Sequence, residues 1–290
     1  MSALPVTEPQ RLHRRFDRVA RLLGEDAVLR LHRARVVVFG VGGVGSFAAE
    51  ALARSGVGVL TLVDFDLVCV TNTNRQMHAL RGNIGKPKAE VMAERLRLVH
   101  PTATVDARVE FYSAEASDAL LDPRPDYVVD AIDNLTAKAH LLVTCARRGI
   151  PVVSSMGAAA RIDPTRVRID DLARTHSDPM ASALRDILRK RHGWRFSPRE
   201  PTGIACVFSD ERPVAPTPPA YDGPEGFHCV CPQAENEHHS CDHRSRIEGS
   251  AAWVTGTFGL VAASVVGREL RGDAVLDRSA VVAPPAPSGA

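Results

Sequence analysis

From position 35 to about 156, apolar residues alternate between two spacings. The short runs RVVVFG, GVLTLVD, ATVDARVEF, DYVVDAID and IPVVSSM are separated by VGSFAAEALARSG, KAEVMAERLRLVH, SAEASDALL and NLTAKAHLLVTCARRG, whose apolar positions recur three and four apart. Runs that are apolar on both alternate sets of positions suit strands buried on both faces. Their alternation with helical stretches predicts βα units, hence an α/β, Rossmann-like, mostly parallel sheet with helices on both faces. Gly149, followed by Pro151, stands where a helix stops.

After 160 the rhythm breaks. RVRID reads as a strand, DPMASALRDILRKRHG as a basic helix and IACVFSD as another strand. Residues 212–226 hold five Pro and two Gly, which predicts a loop or linker. A cysteine- and histidine-rich patch (228–243) follows, and then AAWVTGTFGLVAASVV. That apolar run has 16 residues, short of the roughly 20 that span a bilayer, so it predicts a core helix and no membrane segment. There is no internal repeat.

Composition narrows the class. The 290 residues are 44% hydrophobic and 24% charged, ordinary for a globular chain with a sizeable core. Lys and Arg number 36 against 34 Asp and Glu, so net charge alone does not argue for a polyanionic partner. The Arg-rich first thirty residues lack the apolar core of a signal peptide, which predicts a cytoplasmic chain whose six cysteines are thiols.

The candidate chemistry begins at Gly40, Gly42 and Gly45, a G-x-G-x-x-G directly after a strand and at the start of a helix. Such glycines let backbone N–H groups approach a phosphate, and the helix dipole adds positive potential. Asp64 ends the next strand, where a carboxylate can accept ribose hydroxyls. Alone this says only "nucleotide". Beyond that strand, however, stand Asp64, Asp66, Asn72, Arg75 and Lys88, with Asp133 later. A dinucleotide site has no need of this set, whereas cations with an acidic partner suit a triphosphate and its magnesium.

With those residues in this order, the chain from about 15 to 170 resembles the E1-like (ubiquitin-activating) adenylating enzymes. The motifs are RFDRVARLLG, similar to an R-Y-x-R-Q leader with Val19 in the Gln place, then GVGGVGS, LVDFD, Asn72 to Arg75 as N-x-x-R, KPK at Lys86 to Lys88, and DAIDN. The resemblance implies an E1-like adenylation domain that binds ATP and Mg²⁺ and transfers AMP to a carboxylate. Gly42, Gly43 and Gly45 would then approach the α-phosphate, Arg75 and Lys88 would stabilise the departing pyrophosphate, and Asp133 would hold Mg²⁺. Arg18 would reach the ATP of the other subunit, which implies a homodimer. Asp130 is the weaker acidic candidate and reads as a cap for the helix after it.

Further segments, including VCVTNTNRQMHAL, the stretch from RIDPTRVRIDD to the basic helix, CVFS and VTGTFGLVAASVV, resemble the tRNA threonylcarbamoyladenosine dehydratase branch of that superfamily, over roughly residues 10 to 270. The implied substrate is tRNA carrying threonylcarbamoyladenosine. Its carboxylate would be adenylated and then captured by its own ureido nitrogen. An alternative within the superfamily is adenylation of a small sulfur-carrier protein, opposed by the lack of two C-x-x-C pairs. In their place are Cys229, Cys231 and Cys241 with nearby histidines. Together with Cys206 or a His they form a candidate zinc site, and whether a sulfur-relay partner protein assists stays open. Arg185, Arg189, Lys190 and Arg191 on the basic helix are the candidate tRNA phosphate contacts. The expected organisation is a helical leader (1–34), an ATP-binding adenylation core (35–170), a stretch from 171 to 272 completing the same domain, and a disordered tail (273–290).

Overall fold

The computed structural model describes residues 14–217 and 247–276. The chain enters through a short 3-10 turn, α1 (Asp17–Leu23) and α2 (Glu25–Arg33). There follow β1 (Arg35–Phe39), α3 (Gly45–Arg54), β2 (Val59–Val63), α4 (Lys88–Val99), β3 (Thr104–Arg108), α5 (Ser117–Leu120), β4 (Tyr127–Asp130), α6 (Leu135–Arg147) and β5 (Val152–Ser155). The later part supplies β6 (Val167–Asp171), α7 (Pro179–His192), β7 (Ala205–Ser209) and α8 (Ala252–Arg271). The strands form one seven-stranded sheet in the order β3-β2-β1-β4-β5-β7-β6, parallel except for β6 against β7.

Strand alternation explains why every central strand reads as continuously apolar. Val36 and Val38 point into a core shared with Leu52, Met92, Phe258 and Val265, whereas Val37 and Phe39 point into one shared with Leu141, Leu184 and Leu188. Helices α3, α4 and α8 therefore cover one face, and α6 and α7 the other. The boundary at 170/171, between the adenylation core and the stretch completing the same domain, falls inside β6.

The apolar run at 251–266 is the first part of α8, the core helix expected, and no helix among the described residues is long and apolar enough to cross a membrane. α8 lies against α3 because two glycines remove side chains where the helices meet. A Cβ on Gly256 would come within 3.1 Å of the Phe47 ring, and one on Gly259 would overlap the carbonyl oxygen of Val44.

That packing predicts a stability cost. Gly259→Ala should lower the urea midpoint by an amount equivalent to about 1–3 kcal/mol, as overpacking does, against a rise for an ordinary Gly→Ala exchange within a helix. An unchanged or higher midpoint would show that α3 and α8 separate freely.

Candidate functional site

The glycine loop lies at the carboxyl ends of β1, β2 and β4, where open α/β sheets bind ligands. Gly40 has φ +82°, and a Cβ on it would stand 2.6 Å from the Ala131 carbonyl oxygen. A Cβ on Gly45 would overlap the Gly40 carbonyl oxygen. These two glycines close the loop on itself and on the turn after β4. Gly42 is open, with only Gln76 Nε2 at 3.8 Å from such a Cβ, and Gly43 faces Arg75 and Thr255 at 3.3 Å. Val44, at the N-cap of α3, offers no side-chain cap, so the first amides of that helix suit a phosphate oxygen.

Asp64 ties this loop to β2. Its carboxylate accepts from the Val41 N–H at 2.6 Å and the Asp66 N–H at 2.9 Å. An ionised carboxylate accepts about four hydrogen bonds, so both oxygens retain capacity for hydroxyl donors. Burial, with Asp66 adding to it, pushes the Asp64 carboxyl above the usual range against the opposing charge of Lys88 and its backbone donors.

Lys88 opens α4 with Nζ 2.8 Å from Asp66 Oδ2. Burial pulls its pKa down, but Asp64, Asp66 and Asp133 more than offset this, so it stays a cation above its ordinary range. Asn72 is buried and accepts the Cys69 N–H at 3.0 Å, closing the turn that carries Arg75. Arg75 Nη1 donates to Thr71 O at 3.1 Å and to Asn74 Oδ1 at 2.8 Å. Asp133 is exposed on the turn between β4 and α6, just ahead of Asn134, which caps α6 through the Thr136 and Ala137 N–H groups. Gly40, Gly42, Gly43, Gly45, Asp64, Asp66, Asn72, Arg75, Lys88 and Asp133 thus share one edge of the sheet. Asp133 fits a magnesium ion, since that ion takes one or two carboxylates and completes its shell with phosphate oxygens and water.

Several expectations need correction. Asp130 does not cap α6, because Asn134 does. It is fully buried and bonded to Lys138 and Ser154. Arg185 turns inward, donating to the carbonyls of Leu172 at 3.2 Å and Thr175 at 3.1 Å, so it is not a free phosphate contact. Arg189 is paired with Asp186 at 2.5 Å and lies 5.7 Å from the Phe196 ring centroid, while Lys190 and Arg191 are exposed. Cys206 sits fully buried on β7, where burial pushes its thiol pKa well up.

Cys229, Cys231 and Cys241 lie outside the described residues, as does most of the tail expected from 273. Among the described residues no cluster of three or more His, Cys, Asp or Glu could hold a metal. Arg18 is exposed on α1. The neighbouring Phe16 packs on His100 at 4.6 Å, past the far end of α4 and roughly 18 Å from Lys88 by helix rise. Within one chain Arg18 does not join the cluster.

Three contributors carry no signal of their own in the sequence pattern. The buried Gln76 has Oε1 without a hydrogen-bond partner among the described residues, beside Gly42, and only its adjacency to Arg75 points to it. Thr255 packs on Gly43, and Ser250 O accepts from Asn74 Nδ2 at 2.9 Å. Ser250 stands just before α8 and Thr255 in its first turn, and no local pattern announces them.

The ThiF family model matches residues 16–276. The chain belongs to the ThiF family. Within it, the chain is 44% identical over 250 residues to the tRNA threonylcarbamoyladenosine dehydratase of Escherichia coli, covering 86% of this chain and 91% of that one. It is 45% identical to the Haemophilus influenzae protein of the same name, covering 70% and 77%. The E. coli dehydratase in complex with ATP superposes with a TM-score of 0.78 at 39% identity, covering 92% of this chain and 97% of that one. Fold and family therefore agree with the adenylating architecture expected above.

His78, buried behind Lys88 in this ThiF-family site, gives a pH prediction. Burial, and then the charge of Lys88, push its pKa down to about 4 from 6.5. It is neutral when folded, and the unfolded chain takes up the proton first, so stability is lost as pH falls from 6.5 toward 4. The urea midpoint should drop over that window, and His78→Leu should flatten the drop. Equal slopes for the two proteins would remove His78 from the account.

Proposed function

We infer that this chain uses ATP to dehydrate the threonylcarbamoyladenosine of tRNA at position 37, adenylating its threonyl carboxylate and closing a ring. The observation that carries this reading is the meeting of an open glycine loop with the Lys88 cation and the exposed Asp133 carboxylate at one sheet edge. A nicotinamide site needs neither charge. Similarity to the E. coli dehydratase over 86% of the chain supports this substrate, and it favours tRNA over a sulfur-carrier protein.

The residues divide the work by position. Backbone amides of Gly42 and Gly43 and the first turn of α3 bind the α-phosphate. Asp64 orients the ribose while holding the loop. Lys88 and Arg75 receive the charge that builds on pyrophosphate as a carboxylate oxygen attacks phosphorus. A magnesium ion held at Asp133 would neutralise part of the triphosphate charge. In the second step the ureido nitrogen attacks the acyl carbon, AMP leaves with one carboxylate oxygen, and a proton is released. Arg18 acts in the site of the other subunit of a homodimer, and a tRNA substrate supports a cytoplasmic location.

An RNA surface is offered by the adjoining C-terminal ends of α6 and α7. His192 feels the positive charges of Arg147, His140 and Arg191, and its pKa is lowered chiefly by burial and then by them. Lys190 extends the patch.

Two measurements test the reading. With ¹⁸O in the threonyl carboxylate, label should appear in AMP and the nucleoside should be lighter by one water, with no competition from NADH. Label confined to pyrophosphate or bulk water, or ADP as the product, would exclude adenylation. Replacing Lys190 and Arg191 with Ala should raise KM for tRNA and reduce the salt slope by about one for each phosphate no longer neutralised, with ATP binding unchanged. An unaltered slope would assign both charges to solvent.

A further inference from the structure

Beneath the Asp133 turn lies an ion pair fully shut off from water. Lys138, Asp130 and Ser154 are each 0% exposed. Asp130 Oδ2 accepts from Lys138 Nζ at 2.7 Å and from Ser154 Oγ at 2.6 Å, and Lys138 Nζ also reaches Ser154 Oγ at 3.2 Å. The other oxygen, Oδ1, accepts the Ile132 N–H at 3.1 Å. Burial and the Asp130 charge push the neighbouring Cys145 thiol up to about 12. None of these groups can touch substrate.

A buried ion pair is a poor source of stability, since apolar residues of the same volume commonly do as well or better. Its geometry here serves the site above it. Oδ1 fixes the amide of Ile132, and Ile132 leads directly to Asp133. Ala131, between Asp130 and Ile132, donates its N–H to Phe39 O at 2.8 Å and fills the space that a side chain at Gly40 would need. One carboxylate thereby sets the bend that carries Asp133 and the wall against which the glycine loop closes.

We propose that the Asp130–Lys138 pair is a positioning device, in which Lys138 and Ser154 clamp one oxygen of Asp130 so that the other holds Ile132 and aims Asp133 across the nucleotide site. The proposal rests on Asp133 as the magnesium-holding carboxylate and goes beyond that reading by assigning what places it.

Two uncharged pairs separate the hydrogen bond from the charge. Asp130→Leu with Lys138→Met removes the acceptor for Ile132, while Asp130→Asn with Lys138→Met keeps one. AMP formation with the tRNA substrate should be titrated against Mg²⁺ and against ATP, alongside thermal melting of each full-length protein. The Leu/Met protein should melt close to the parent, with kcat lowered and half-saturating Mg²⁺ raised by about 10–100-fold, the range typical when support for a metal ligand is removed. The Asn/Met protein should stay within about threefold of the parent in both. Parent-like kcat and Mg²⁺ dependence in the Leu/Met protein would overturn the proposal. So would equal impairment of both proteins, which would mean that charge, and not the Ile132 bond, matters. Should the Leu/Met protein fail to fold, the Asn/Met protein decides: a Mg²⁺ requirement raised tenfold in a folded protein would overturn it. Asp133→Ala run beside them isolates the underlying reading, since unchanged Mg²⁺ dependence there would refute the role of Asp133 itself.

Discussion

No side chain fits between Gly40 and Ala131, and that close approach sets the rest of the site. Gly40 can turn with φ +82° and let β1 and β4 come together at their carboxyl ends. Only then does the glycine loop open toward the same space as Asp133. The approach is held from two sides. Asp64 pulls the loop toward β2 through the Val41 amide, and Asp130 fixes the opposite wall through Ile132. The nucleotide edge is thus a closed set of short backbone contacts, in which charges are added to an already fixed frame. Preorganisation of this kind avoids reordering dipoles during the reaction.

What depends on period and on order along the chain is legible in the sequence. Strands β1, β2, β4 and β5 are readable because both their faces are buried, so apolar residues run on without interruption. The Gly40–Gly45 loop and Asp64 are readable because a strand, a turn and a helix must follow one another for a phosphate to be held. Side-chain pairings across the fold are not. Asp130 resembles a cap because it precedes a helix, but Asn134 stands directly before Leu135 and takes the free amides, leaving Asp130 to Lys138 one helical turn further in. Arg185 counts toward a basic face, yet its position on α7 points it at the carbonyls of Leu172 and Thr175. Charge can be counted from a sequence, but the direction in which a long side chain folds back is set by its neighbours.

The family resemblance carries more than periodicity can. Periodicity alone stops at a nucleotide, while the order of Asn72, Arg75, Lys88 and Asp133 separates a triphosphate from a dinucleotide. Structure then explains the order. Lys88 begins the helix after β2 and Asp133 ends the turn after β4, so two segments on either side of β1 converge across the glycine loop between them.

The packing of Gly43 on Thr255, and the bond from Asn74 to Ser250, bear on the protein's own synthesis. The phosphate loop leaves the ribosome well before its backing, which arrives only with α8. Until then the part of one sheet face which α3 and α4 leave bare, from β4 through β7, lacks its cover, and Val129, Val153 and Val207 lie open where Phe258, Ala262 and Val265 will later pack. A nascent chain therefore has its nucleotide motif without a nucleotide site, and any chain cut short before α8 would present an apolar sheet face to chaperones and proteases.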